Sequence, residues 1–118
     1  MIAVVDCGCG NLRSLENALA AAGLASRRAV TPADLAGART VVLPGVGHFG
    51  PAARALADAG LDRALRDHAA GGGRLLGICL GMQLLFEDSA EAPGARGLGL
   101  LPGACVPLDA PGLKVPHM

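Results

Sequence analysis

The sequence predicts a single α/β domain with a mostly parallel, doubly wound sheet and helices on both faces of that sheet. Short apolar segments that contain β-branched residues alternate along the chain with segments whose apolar residues recur at helical spacing. Glycine-rich turns follow three of the predicted strands, and the length of 118 residues allows only one domain. Because ligands of such sheets bind beyond the carboxyl ends of the strands, we expect the functional site at the edge that these turns share.

The first predicted unit is a strand, a turn and a helix. Residues 2–6 form a short apolar run rich in β-branched side chains, and the glycine-rich turn 7–10 follows at once. Asn11 suits the amino-terminal cap of a helix over residues 12–22, and Gly23 suits its carboxyl end. This order is typical of a parallel sheet with a crossover helix.

The later elements alternate in the same way. Thr31 and Pro32 are typical of a helix start, and glycines separate or close the helices that follow. The turn 44–47 follows the third strand, whereas almost no loop separates the fourth strand from the next helix. The predicted elements after the first unit are a strand over 24–30, a short helix over 32–37, a strand over 40–43, helices over 51–59 and 61–70, a strand over 74–78, a helix over 80–87 and extended pieces within 98–108.

Composition and charge exclude several classes of function. A net charge of zero and only two aromatic residues argue against nucleic-acid binding. No apolar run reaches the roughly 18 residues that a membrane span needs, and the amino terminus lacks a secretory pattern, so we expect a cytoplasmic protein. The four cysteines include no C-x-x-C pair and no zinc-site spacing, so we expect free thiols and no metal. The turn 6–11 departs from G-x-G-x-x-G, which argues against a dinucleotide cofactor.

The segment 77–81 reads Gly-Ile-Cys-Leu-Gly and stands between a predicted strand and a predicted helix. A G-x-C-x-G sequence in that context is typical of a nucleophile elbow, in which a sharp turn exposes the central side chain above the sheet. The amino terminus of the helix would stabilise a Cys79 thiolate. The alternative is a buried Cys79 that packs as a small apolar residue, which is the more common fate of a lone cysteine.

Besides a nucleophile, acyl transfer requires hydrogen-bond donors that stabilise the negatively charged oxygen of the tetrahedral intermediate, called the oxyanion. The turn 44–47 would bring backbone N–H groups to the same edge as Cys79, although an ordinary turn is the alternative. A cysteine hydrolase also needs a group that removes and returns a proton. The three histidines are His48, His68 and His117. His68 is predicted to be solvated on a helix at the far side of the sheet, and spacing assigns none of the three as the base.

Five segments resemble the glutamine amidotransferase subunits of imidazole glycerol phosphate synthase, a class I, triad-type family of histidine biosynthesis. Residues 77–87 alone would indicate only a class I glutamine amidotransferase, and the other segments narrow the resemblance to this family. The five segments are residues 6–12, 43–49, 77–87, 97–103 and 114–118, which read DCGCGNL, LPGVGHF, GICLGMQLLFE, GLGLLPG and KVPHM.

The resemblance implies a glutaminase reaction. Cys79 would attack the side-chain amide carbon of glutamine, form a thioester and release ammonia, with no cofactor or metal. Val46 and Leu80 would supply oxyanion-hole N–H groups, and Gly47 and Gln83 match positions that contact glutamine. The fold that the resemblance implies is the class I glutamine amidotransferase-like α/β sheet.

The resemblance also implies a partner. In the family, ammonia passes to a barrel-shaped cyclase or synthase subunit, and binding to that subunit activates the glutaminase. Asn11, Pro116 and Met118 resemble elements at or near this interface. These expectations make glutamine and the synthase subunit the predicted partners, with neither nucleic acid nor membrane.

Two departures from the family pattern affect these expectations. Cys7 stands where the family usually has tyrosine, which changes local packing. The catalytic histidine and glutamate of the family lie downstream of the motif at 114–118, in which the chain ends. We therefore expect residues 1–118 to be the N-terminal portion of a single glutamine amidotransferase domain whose C-terminal part is missing, and to be inactive alone.

Two other functions stay open from the sequence. The chain could be a non-catalytic docking or regulatory module that binds the synthase subunit, in which case it would dock without producing ammonia. It could also be a redox-responsive thiol protein that uses Cys79 in an elbow of similar geometry. That third possibility explains none of the motifs between residues 97 and 118.

Overall fold

A computed structural model describes residues 1–8, 10–108 and 112. A four-stranded, all-parallel sheet forms its centre, with the strand order β2-β1-β3-β4. The predicted α/β class with a parallel sheet is therefore confirmed. The strands of this sheet are β1 (Ile2–Val5), β2 (Ser26–Ala29), β3 (Thr40–Gly45) and β4 (Arg74–Cys79).

The helices connect these strands as crossovers, as parallel pairing requires. A 3-10 helix lies between β2 and β3, and Gly60, with φ of 72°, separates the two helices between β3 and β4. The helices are α1 (Leu12–Ala21), the 3-10 helix (Pro32–Leu35), α2 (Phe49–Asp58), α3 (Leu61–Ala70) and α4 (Leu80–Gln83).

The predicted helix over 80–87 is wrong in its second half, because α4 ends at Gln83. The chain then tightens into turns, and the Glu87 N–H donates to the Gly103 carbonyl oxygen at 3.0 Å. Gly103 immediately precedes β6 (Ala104–Cys105), which pairs with β5 (Asp88–Ser89) in a second, two-stranded sheet. Hydrogen bonds to distant residues thus replace the helical hydrogen bonds that were predicted toward residue 87. Within the predicted extended region 98–108, β6 is the one strand described.

One apolar cluster fills the space between the sheet and helices α2 and α3. Residues at alternate positions of β1 and β3 enter this cluster, whereas Val4 and Val42 are buried outside it, on the opposite face. Leu12 of α1 is also buried outside the cluster, so helices cover both faces of the sheet as predicted. The fully buried members with the largest side chains are Val5, Val41, Leu43, Phe49, Leu56, Leu61, Leu65 and Leu84.

Strand β4 is less covered than its neighbours. Leu75 is half-buried on the cluster side, but Leu76 and Ile78 point the other way and are 54% and 38% exposed. Within the described residues, β4 pairs only with β3, so its second edge is free. This strand carries Cys79 at its carboxyl end, and the uncovered face therefore adjoins the candidate site.

The cysteines differ from the sequence prediction at one position. Cys7 is disulfide-bonded, so the expectation of free thiols is wrong for that residue. Cys79 and Cys105 are free, and Cys9 lies outside the described residues.

Candidate active site

Cys79 occupies a strained turn between β4 and α4. Its φ and ψ are 56° and −120°, and among the described residues it is the one non-glycine residue with positive φ. Such a conformation is costly for a residue with a side chain and persists only where the surrounding structure enforces it. The Cys79 side chain is exposed, which excludes the alternative of a buried cysteine. These features are those of a nucleophile elbow.

Glycines on both sides of Cys79 permit this turn. A Cβ at Gly77 would lie 2.7 Å from the Cα of Met82, and a Cβ at Gly81 would overlap the carbonyl oxygen of Leu43. Helix α4 therefore lies directly against β3 and β4, with no room for side chains between their backbones. The G-x-C-x-G pattern thus reflects backbone contacts as well as the turn itself.

The loop after β3 lies beside the nucleophile because of the strand register. Gly45, the last residue of β3, is paired with Cys79, so Val46 and Gly47 leave the sheet next to the elbow. Val46 is 60% exposed, and Gly47 has φ of 103° with open space around it. We call residues 46–47 the oxyanion loop, because the resemblance predicts that Val46 supplies an oxyanion-hole N–H group. Leu80 begins α4, and N–H groups in the first turn of a helix lack partners within the helix.

The residue after this loop makes a side-chain contact that the sequence did not reveal. His48 Nδ1 lies 2.5 Å from Glu91 Oε1, and their side chains are 80% and 38% exposed. Glu91 was not among the predicted site residues, because 43 positions separate it from His48 and it belongs to no periodic element. The turn between β5 and β6 brings the two residues together.

Gln83, at the end of α4, lines a groove of about 520 Å³ together with Glu91 and Cys105. Glu91 is the one charged residue of this lining. Cys105 Sγ donates to the Gln83 carbonyl oxygen at 3.7 Å, and burial, followed by the nearby Asp88 carboxylate, raises the pKa of the Cys105 thiol. Cys105 therefore remains protonated at neutral pH and supports the end of α4.

Within the described residues, no proton-transfer group is hydrogen-bonded to Cys79. No described side chain makes a hydrogen bond to Cys79 Sγ, and His48 is engaged by Glu91. His68 Nε2 lies 2.9 Å from the Arg74 carbonyl oxygen, at the opposite end of β4. His68 is partly exposed to solvent, whereas His117 lies outside the described residues.

The predicted interface residues fall at two places. Asn11 caps α1, and its Oδ1 accepts a hydrogen bond from the Ser14 N–H at 3.4 Å, which confirms the predicted cap. Its side chain lies in an exposed turn near the carboxyl ends of the strands. Pro116 and Met118 lie outside the described residues.

Within the described residues, no group of three or more His, Cys, Asp or Glu side chains is placed to hold a metal ion. None of the helices in the same part of the chain has the length and apolar character that a membrane crossing requires.

Comparison with solved structures gives the fold. The chain superposes on a crystal structure of a glutamine amidotransferase with a TM-score of 0.75 and 22% identity, covering 86% of this chain and 53% of that one. A putative peptidase E from Listeria monocytogenes has a TM-score of 0.70 at 15% identity, with 85% and 62% covered. At these identities the likeness supports the α/β architecture alone.

Comparison of sequences identifies the family. The chain is 46% identical over its whole length to the imidazole glycerol phosphate synthase subunit HisH of Chlorobium luteolum, and covers 59% of it. It is 48% identical to the subunit of the same name from Bacillus subtilis and covers 58% of that relative, so it spans little more than half their length. The family model of the CobB/CobQ-like glutamine amidotransferase domain matches residues 8–109. These matches confirm the resemblance found in the sequence, and the chain belongs to the glutamine amidotransferase family.

Proposed function

We propose that this chain carries the nucleophile of a glutaminase that serves imidazole glycerol phosphate synthase in histidine biosynthesis. The observation that carries the proposal is the exposed Cys79 in a positive-φ elbow at the carboxyl end of β4. A cysteine sulfur held there is open to an amide substrate from above the sheet. The names of the relatives support the pathway, and the family supports the type of reaction.

The proposed reaction has two steps. The Cys79 sulfur attacks the side-chain amide carbon of glutamine, and the tetrahedral intermediate collapses as the C–N bond breaks and the nitrogen leaves, protonated, as ammonia. Water then attacks the thioester carbon, the C–S bond breaks, and glutamate and the free thiol are released. The backbone N–H groups of Val46 and Leu80 would stabilise the oxyanion in both steps.

Substrate recognition would use the groove beside α4. Gly47, in the oxyanion loop, and Gln83, at the end of α4, are the proposed contacts for bound glutamine. Glu91 suits the ammonium group of an amino acid, because it is the one charged residue of the groove that Gln83 also lines. The four-residue helix α4 separates Gln83 in the groove from Cys79 in the elbow. A substrate with a short side chain, such as glutamine, fits this separation.

The proton-transfer partner of Cys79 belongs to another part of the complete site. Neither described histidine makes a hydrogen bond to Cys79. In the family that the sequence resembles, a histidine and a glutamate downstream of the motif at 114–118 have this role. We therefore propose that residues 1–118 alone hydrolyse no glutamine, because loss of the base of a triad lowers the rate by several orders of magnitude.

The proposed partner is the cyclase subunit, which receives the ammonia. The relatives are named as subunits of a synthase, which supports an assembly of this kind. We propose that it forms in the cytoplasm. Asn11, Pro116 and Met118 are the proposed interface residues. Asn11 lies in the exposed turn that follows β1, at the carboxyl end of the sheet where Cys79 also lies.

The test measures ammonia release from glutamine by the full-length natural subunit that contains these residues, mixed with its cyclase partner. Cys79→Ser should abolish the activity, whereas Cys105→Ser, which removes the other free cysteine of the described region, should retain most of it. Activity that survives Cys79→Ser would reject the proposed nucleophile. Robust hydrolysis by residues 1–118 alone would reject the proposed dependence on a downstream base.

A further inference from the structure

His48 stands at a position where its side chain has no role in capping its own helix. It is the amino-cap residue of α2, with φ of −104° and ψ of 142°, and its side chain makes no capping hydrogen bond. Its Nδ1 instead lies 2.5 Å from Glu91 Oε1. The imidazole therefore reaches across to another loop, although it is otherwise exposed to water.

Glu91 is a fixed partner for that imidazole. Its N–H donates to Ser89 Oγ at 3.3 Å, and the Ala92 N–H donates to the Ser89 carbonyl oxygen at 3.1 Å. The same turn packs against α2, because a Cβ at Gly50 would lie 3.2 Å from the Cβ of Ala92. The Glu91 carboxylate is thus presented by a turn that the body of the domain holds in place.

The oxyanion loop lacks anchors of its own. Gly45 on one side is paired in the sheet, and a Cβ added to it would lie 3.2 Å from the Gly81 nitrogen. Between Gly45 and His48, Val46 is 60% exposed, and a Cβ added to Gly47 would meet only open space. Among the described residues, the contact of His48 with Glu91 is the first side-chain interaction beyond this loop.

We propose that His48 is a positioning residue for the oxyanion loop, which it holds through Glu91, and that the same contact links this loop to the substrate groove. Glu91 lines that groove with Gln83, so a ligand that engages the carboxylate also changes the restraint on residues 46–47. The role of this contact in catalysis rests on the proposed function. The restraint on residues 46–47 rests only on the observed contact between His48 and Glu91.

The first test is amide hydrogen exchange of residues 45–49 in the full-length natural subunit. His48→Ala and Glu91→Ala should each speed exchange of this segment by about threefold, since an exposed side-chain pair of this kind is worth a fraction of a kcal/mol. The double variant should add little to either single one, because both remove the same contact. His48→Asn should restore slow exchange, since its amide can donate to Glu91 from a similar position. Arg54→Ala is the matched control, because it breaks an exposed pair with Asp58 on the same helix.

The second test is glutaminase kinetics of the same variants with the cyclase partner. His48→Ala should lower kcat about threefold with little change in KM, and His48→Asn should restore kcat. A merely structural role for His48 would not change kcat separately from KM. Unchanged exchange and unchanged kcat in His48→Ala would overturn the proposal. Faster exchange in His48→Ala, combined with a wild-type subunit that lacks glutaminase activity altogether, would refute the proposed function and leave the restraint on the loop standing.

Discussion

Replacement of Gly81 by alanine tests the close backbone approach on which the elbow depends. An added Cβ would overlap the carbonyl oxygen of Leu43, a buried residue of the central strand β3. The φ of Gly81 is not positive, so the cost comes from space and not from backbone conformation. Overpacking costs about 1–3 kcal/mol, and we take about 3 kcal/mol because both contacting groups are backbone. For a domain of this size, that cost lowers Tm by roughly 12 °C.

Gly10→Ala is the matched control for this substitution. Gly10 also has a φ that is not positive, but an added Cβ would meet nothing closer than Pro44 Cγ at 3.6 Å, an ordinary contact. We expect its stability to stay within about 1 kcal/mol of the wild type. Urea and thermal unfolding followed by circular dichroism measure both variants. If Gly81→Ala were as stable as Gly10→Ala, the tight packing of α4 on β3 would be refuted.

Two further predictions concern stability and association. Hydrogen bonds from the Val30 and Thr31 N–H groups lower the pKa of Asp34 below its ordinary value of 3.8, so this carboxylate stabilises the fold above that pH. The stability difference between wild type and Asp34→Ala in urea should therefore be constant near neutrality and shrink as the pH falls below about 4. Leu76→Glu places a charge on the uncovered face of β4 and should lower the self-association that this exposed face allows in residues 1–118. Analytical ultracentrifugation measures the association. An equal extent of association in the variant and the wild type would argue against this face as the contact.

Local signals in the sequence were sufficient for most of the fold. Apolar runs predicted β1, β3 and β4, whereas Arg27 and Arg28 weakened the prediction of β2. The cap at Asn11 and the glycine at 60 predicted where helices begin and end. The elbow was equally predictable, because the glycines on each side of Cys79 satisfy local steric demands that the pattern itself records. Parallel topology followed from the alternation of strands and helices.

Features that depend on distant partners could not be predicted. The helix after Cys79 ends at Gln83 because Glu87 finds a hydrogen-bond partner in Gly103, far along the chain. The pairing of His48 with Glu91 likewise depends on the turn between β5 and β6, whose strands have two residues each. Such short pairings leave no periodic pattern in a sequence, so the substrate side of the site was incomplete until the fold was known.

The central claim is that Cys79 is the residue that attacks glutamine. The most direct measurement treats the full-length subunit, in complex with its cyclase, with a glutamine analogue that carries a chloromethyl ketone in place of the side-chain amide. Peptide mass spectrometry then locates the modified residue. We expect modification at Cys79, protection by excess glutamine, and no modification in Cys79→Ser. Modification of Cys105 instead, or modification of Cys79 that glutamine does not slow, would contradict the account.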